Sequence, residues 1–218
     1  MSLPWNHSRE FEQGHAGLNG NHMKATRPRL AEEDQYIFTE GIDYSKTGKT
    51  SIWGMGDKET LKLLETIEFH GKWLYLAAGD GRYNINLLEK ADLVVASDID
   101  ESALGKLWET TPDIFKTKLN IEVFDLTKKF PFESASFDGM FCTGALHHFP
   151  EEMLRQIFFE IDRILKPSGK IIIDFATDIQ RTLTDGTLYI RKHEPIYTIE
   201  RATTLLNELL KNYTVQSV

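Results

Sequence analysis

Four stretches of this chain are apolar, short and bounded by glycine or charge: residues 73–78 (WLYLAA), 91–97 (ADLVVAS), 137–143 (FDGMFCT) and 170–175 (KIIIDF). Each has strand length and is too short for a buried helix. A fifth strand is predicted at Ile121 to Phe124. Helical spacing fills the intervals. Asp57 is placed to cap a helix carrying Leu61, Leu64 and Ile67 on one face. Helices are predicted over 82–90 and 102–109, the second stopped by Thr111-Pro112. Over 151–165, Leu154, Ile157, Phe158, Ile161, Ile164 and Leu165 form one apolar stripe, ended by Lys166-Pro167-Ser168-Gly169. A last amphipathic helix carries Ile199, Ala202, Leu205, Leu206, Leu209 and Leu210; short strands are expected at 187–191 and 213–218. Strands without polar alternation, separated by helices, predict an α/β fold: a mostly parallel central sheet with helices on both faces. Such sheets bind ligands at the carboxyl ends of their strands, where strand order reverses.

With 218 residues the chain suits one large domain or a domain plus a tail. Residues 1–30 are poor in aliphatic side chains and read as a flexible tail. Residues 31–56 read as a lid segment with a short helix at 31–38, and 57–218 as the ligand-binding domain. The net charge of −8 argues against a DNA partner, since phosphate neutralisation needs a basic face. The lone cysteine, Cys142, allows no intrachain disulfide and fits a reducing compartment. No apolar run is long enough to span a membrane, and MSLPWNHSREFEQG lacks a signal-peptide core, so a cytoplasmic location is expected.

The segment WLYLAAGDGRYNINLL runs from strand through glycines into helix, which invites a ligand. Thr47-Gly48-Lys49-Thr50 mimics a phosphate loop, but Asp43 stands where its first glycine belongs. A dinucleotide fingerprint fails too: Asn84 replaces the third glycine, and Asp80 sets a carboxylate where a pyrophosphate would lie. Asp98 follows the second strand and suits two ribose hydroxyls; Asp100 better suits the cap of the next helix. Asp125-Leu126 follows the third strand, either as an adenine contact or as an ordinary Asx turn.

The order and spacing of WLYLAAGDGR, VVASDID, VFDLTKKFPFESASFDGMFCTGALHHF and EIDRILKPSGKIIIDF resemble the class I, Rossmann-like S-adenosylmethionine-dependent methyltransferases over roughly residues 57 to 176. The resemblance implies S-adenosyl-L-methionine as cofactor. It implies backbone around Ala77, Ala78, Gly79 and Gly81 at the methionine end and Asp98 on the ribose. Asp125, Leu126 and Ile99 would be at the adenine, with Thr143 also in the cofactor site. Two positions depart from the family pattern: Tyr75 stands where an acidic residue is usual, and Ala77 where the first glycine is.

The loop after the fourth strand, CTGALHHF, should receive the methyl acceptor. His148, and secondarily His147, are the candidate general bases. Their bland alternative is capping of the next helix or packing beneath the loop. Adjacent histidines point apart and no third ligand is spaced nearby, so no metal is expected. The nitrogen-methylating Asn/Asp-Pro-Pro-Tyr/Phe motif is absent after the fourth strand, against methylation of DNA bases. Tyr36, Tyr44 and Trp53 are candidates to close the pocket; Arg181, Tyr189, Arg191 and His193 give the 177–197 stretch polar choices. The leading expectation is a methyltransferase acting on an oxygen or nitrogen of a small molecule. Methylation of protein or RNA, a non-catalytic binder, and a nicotinamide-dependent oxidoreductase stay open.

Overall fold

The structure is a computed structural model that describes residues 42–182, 188–189 and 194–216. The tail expected over 1–30, the short helix at 31–38, and Tyr36 lie outside the described residues.

Five strands form one sheet: β1 (Lys72–Leu76), β2 (Leu93–Asp98), β3 (Leu119–Val123), β4 (Phe137–Cys142) and β5 (Leu165–Ile173), in the order β3-β2-β1-β4-β5. Every pairing is parallel. The chain runs outward from β1 through β2 to β3, then crosses back to lay β4 on the other side of β1. The crevice between the carboxyl ends of β1, β2 and β4 is therefore the reversal point where ligands bind.

Strand residues alternate between two cores, as the two-residue side-chain period requires. Leu74, Leu76, Val95, Met140 and Cys142 face one side, covered by helices Glu151–Ile164 and Ile199–Leu209 through Leu154, Ile157, Ile161 and Leu205. Trp73, Tyr75, Val94, Ala96, Phe141 and Ile172 face the other, covered through Leu64, Leu87, Leu104 and Leu107 by helices Lys58–Thr66, Asn84–Leu88 and Glu101–Thr110. Among the described residues no helix is long and apolar enough to cross a membrane.

The caps are where sequence places them. The Asp57 carboxylate accepts from Thr60 N–H at 2.7 Å, and Asp100 caps Glu101–Thr110 through Ser102 and Ala103 N–H. The clearest differences from expectation are these. The helix after the glycines is only Asn84–Leu88. Its first expected turn stays a loop bonded from Gly81 N–H to Ala78 O, and the Lys90 ammonium is drawn to the end of helix Lys58–Thr66, 2.8 Å from Glu65 O. Strand β5 begins earlier, because Leu165 already pairs with Phe137. Residues 166–169 then bulge out, with Lys166 on Asp138, and pairing resumes at Lys170. No strand forms over 213–216: the Tyr213 hydroxyl donates instead to Asp162 of helix Glu151–Ile164. Leu188–Tyr189 pair antiparallel with Arg181–Thr182 in a separate two-stranded ribbon.

The β1–β4 seam depends on one small residue. A methyl group at Gly139 would lie 2.5 Å from atoms of the Trp73 indole, which is 1% exposed and hydrogen-bonded to His70 O. Gly139→Ala is expected to destabilise the protein by about 1–3 kcal/mol, the usual cost of overpacking a closed core. Urea denaturation reads it, and a variant as stable as the parent would show that the indole shifts freely.

Candidate active site

The glycine loop and β2 are joined where the cofactor is expected. Gly79 N–H donates to Asp98 Oδ2 at 2.8 Å, and Asp100 N–H to Oδ1 at 3.0 Å. A carboxylate has about four lone-pair sites, so acceptor capacity remains for a ligand hydroxyl. Burial raises the Asp98 pKa and nearby Asp100 pushes it the same way, while the backbone N–H groups of Asp100, Gly79 and Ile99 oppose them. Gly79 and Gly81 both have positive φ, 52° and 89°, which glycine adopts without strain. Ala77, standing where the family has glycine, also lies at φ 53°. Gly81 serves packing as well: a Cβ there would meet Leu107 at 2.8 Å. Ala78 is buried, and its N–H is held by Ser97 O at 2.8 Å. The other departure, Tyr75, is a core residue: its hydroxyl accepts from Tyr83 N–H at 3.4 Å, and its ring meets Phe141 edge-on.

Ile99, 36% exposed, follows Asp98 at the open edge. Asp125 Oδ1 accepts from Thr127 N–H and hydroxyl, at 2.8 and 2.6 Å, so the Asx turn is present. Leu126 is partly buried against the core. Thr143 leaves β4 at its carboxyl end beside Gly144, whose φ is 72° and where an added Cβ meets nothing within 4 Å.

The histidines fall on a 3-10 turn, Leu146–His148, and their rings lie 4.1 Å apart, tilted by 49°. His147 is 1% exposed and meets Phe175 edge-on. His148 is less enclosed, and its Nδ1 sits 2.5 Å from Glu194 Oε1. Sequence reasoning missed Glu194, which lies in a polar stretch without periodicity. It also missed Asp174. That residue ends an apolar strand just as Asp98 does, and this was the readable signal. Asp174 Oδ1 accepts from Gly144 N–H at 2.7 Å.

Burial pushes the Asp174 carboxyl up from 3.8 to about 6; Asp57 adds to the rise, while the Gly144 N–H and Arg82 oppose it. A raised carboxyl contributes stability that is fully present below its unfolded value and lost as pH climbs through the folded one. Near pH 8 the ionised side chain costs roughly 3 kcal/mol. Asp174→Asn keeps an acceptor for Gly144 and drops the charge. It is expected to be more stable than the parent by about 1–3 kcal/mol near pH 8, with the gap closing towards about pH 4. Thermal melts across pH check this; a gap that widens in acid would contradict it.

The lid segment is fastened to the glycine loop by a residue read only as awkward in sequence. The Asp80 carboxylate accepts from Ser51 Oγ at 2.5 Å, Ile52 N–H at 2.8 Å and Lys106 Nζ at 2.7 Å. Lys106 also donates to Thr50 O at 2.8 Å, and both charged side chains are buried. The fastening sets the Trp53 indole nitrogen 3.5 Å from the Cβ position of Gly79. Tyr44 is buried near Asp98: burial raises its hydroxyl pKa, and Asp80, Asp100 and Asp98 push it the same way. The side chains of Arg181, Tyr189, Arg191 and His193 lie outside the described ones.

The carboxyl edge thus carries Asp98, Asp100, Asp125 and Asp174, with Asp80 behind it. Such an edge repels a pyrophosphate and suits a nucleoside joined to a cation. Comparison with known proteins agrees. Residues 74–173 match the family described as a methyltransferase domain. The DhpI-SAH complex aligns at 24% identity over 68% of this chain and 72% of its own, with a TM-score of 0.55. An S-adenosylmethionine-dependent methyltransferase from Mesorhizobium loti aligns at 18% identity over 73% and 81%, TM-score 0.55. Phosphoethanolamine N-methyltransferase 1 of Haemonchus contortus, in complex with phosphoethanolamine and S-adenosylhomocysteine, aligns at 17% identity over 68% and 33%, TM-score 0.58. No curated protein matches. The methyltransferase-domain match over residues 74–173 and the shared fold support a Rossmann-like S-adenosylmethionine-dependent methyltransferase, with S-adenosylmethionine as its cofactor. The residues present fit that cofactor: a carboxylate with acceptor capacity left beside a glycine loop answers ribose hydroxyls, and the acidic side chains around it do not suit a phosphate.

Proposed function

We propose that the protein methylates an oxygen or nitrogen of a small-molecule acceptor. The reading is carried by the lid segment, pinned through Asp80 across the glycine loop with Trp53 over Gly79 and Tyr44 near Asp98. A covered site favours a small acceptor over a polymer, and the acidic strand ends disfavour nucleic acid. Asp98 holds the ribose hydroxyls. Asp125, Leu126 and Ile99 surround the adenine, and backbone from Ala77 and Ala78 through Gly79 to Gly81 approaches the methionine end, with Thr143 alongside. The sulfonium supplies an already activated methyl group, so the protein's task is to hold the acceptor close and in line and to remove its proton. His148 is the base. Burial of His147 fits it to supporting the loop. The single cysteine, with its buried thiol pushed up in pKa, is structural and fits a cytoplasmic setting.

Calorimetric titration with S-adenosylmethionine, S-adenosylhomocysteine and NAD in parallel is the first test. Saturable binding of the first two alone supports the site, and NAD binding refutes it. A radiolabelled-methyl screen of small molecules, peptides and RNA follows. Transfer to a polymer alone would refute the acceptor class.

A further inference from the structure

The loop after β4 carries more than a histidine. His148 Nδ1 and Glu194 Oε1 lie 2.5 Å apart although 46 residues separate them, and the Glu194 side chain is only 8% exposed. Carboxylates are rarely that buried without a partner. The segment bearing Glu194 is itself anchored: Tyr197 OH donates to Phe149 O at 2.8 Å, Asp178 N–H donates to Tyr197 O at 2.8 Å, and Thr198 caps the following helix. On the far side His147, Phe175 and Tyr197 form a chain of ring contacts, with centroids at 6.3 and 5.0 Å. Both ends of the His148–Glu194 contact are therefore fixed by packing.

A carboxylate on one ring nitrogen decides the chemistry of the other. Nδ1 becomes the donor, Nε2 carries the lone pair, and the imidazolium formed on protonation is stabilised. Such an arrangement matters most for an acceptor that is a poor nucleophile until its proton leaves. A neutral amine attacks with a lone pair already in place and sheds its proton afterwards. A hydroxyl oxygen also has lone pairs, but they are far less nucleophilic until its proton is taken.

Building on the methyltransferase reading above, we propose that Glu194 is the positioning residue for His148, and that the acceptor is a weakly acidic hydroxyl, as in a phenol or enol. In the transfer the O–H proton passes to His148 Nε2 while the oxygen bonds to the methyl carbon. The carbon–sulfur bond breaks with its electron pair kept by sulfur, and the imidazolium then releases its proton to water.

The test has two parts and uses the full chain. Nitrogen-15 spectra of histidine-labelled protein, without any acceptor, report the tautomer. Neutral His148 is expected with its proton on Nδ1, shifting towards Nε2 in Glu194→Ala. A parent already protonated on Nε2 overturns the proposal. Labelled-methyl transfer is then measured against a panel of phenols, catechols and primary amines. Transfer to hydroxyls is expected, with kcat falling about tenfold or more in both Glu194→Ala and the volume-conserving Glu194→Gln while KM changes little. Transfer to amines alone, to no hydroxyl, or with unchanged kcat in the variants overturns it. S-adenosylmethionine titration of each variant separates this failure from failure of the methyltransferase reading, which would show as lost cofactor binding in the parent.

Discussion

Asp98→Ala should weaken S-adenosylmethionine binding by about 10²- to 10⁴-fold, as read by calorimetry. The figure follows from two hydroxyl–carboxylate hydrogen bonds at roughly 1.5–3 kcal/mol each. Part of the loss comes from the apo protein, since Asp98 also holds Gly79 and Asp100 N–H. Asp98→Asn separates the two effects. Its amide oxygen still accepts one of those groups, but its NH₂ meets donors on the other side. An alanine variant that binds with parental affinity would remove Asp98 from the site. The direction with pH is fixed as well. Burial raises the carboxyl, so binding should weaken on acidification sooner than an exposed aspartate would allow.

Lys106→Met should cost about 3–5 kcal/mol of stability, the penalty of leaving a buried charge without its partner. Asp80 would keep Ser51 and Ile52 but lose the ammonium 2.7 Å away, and Thr50 O would lose its donor. For a chain of this size the melting temperature should fall by roughly 6–20 °C. The double variant Lys106→Met/Asp80→Asn should recover most of that, because an apolar and a neutral side chain no longer leave a charge stranded. If the single and double variants melt alike, the pair does not hold the lid. Cofactor affinity should fall in step with stability, since the pair sets Trp53 over Gly79.

The sheet was readable because its signals are local. Apolar runs such as LVVAS and KIII have strand length and no polar face, and Asp57 and Asp100 advertise helix starts by position alone. Asp98 stands out for the same reason: a carboxylate ending a buried strand. Asp174 meets that criterion equally, as the carboxylate that closes KIIID. Lys106 and Glu194 were beyond reach. Lysine amid apolar residues of a helix looks like a solvated face until Asp80 is known to lie across from it. Glu194 acquires meaning only when 46 residues of chain fold back onto His148. Element ends shifted where a side chain found a distant carbonyl or carboxylate, as Lys90 and Lys166 did.

The strand order also dictates a sequence of events in time. β1, β2 and β3 follow one another along the chain and can pair as they appear. The β1–β4 seam instead joins groups 66 residues apart, as in the bond from Lys72 N–H to the Asp138 carboxylate. Distant pairings are slow to form. The half of the edge that bears Asp98 and Asp125 can thus be assembled before the half that bears His148 and Asp174 exists, both in refolding and as the chain leaves the ribosome. Damage along the seam should then hasten unfolding far more than it delays the first collapse.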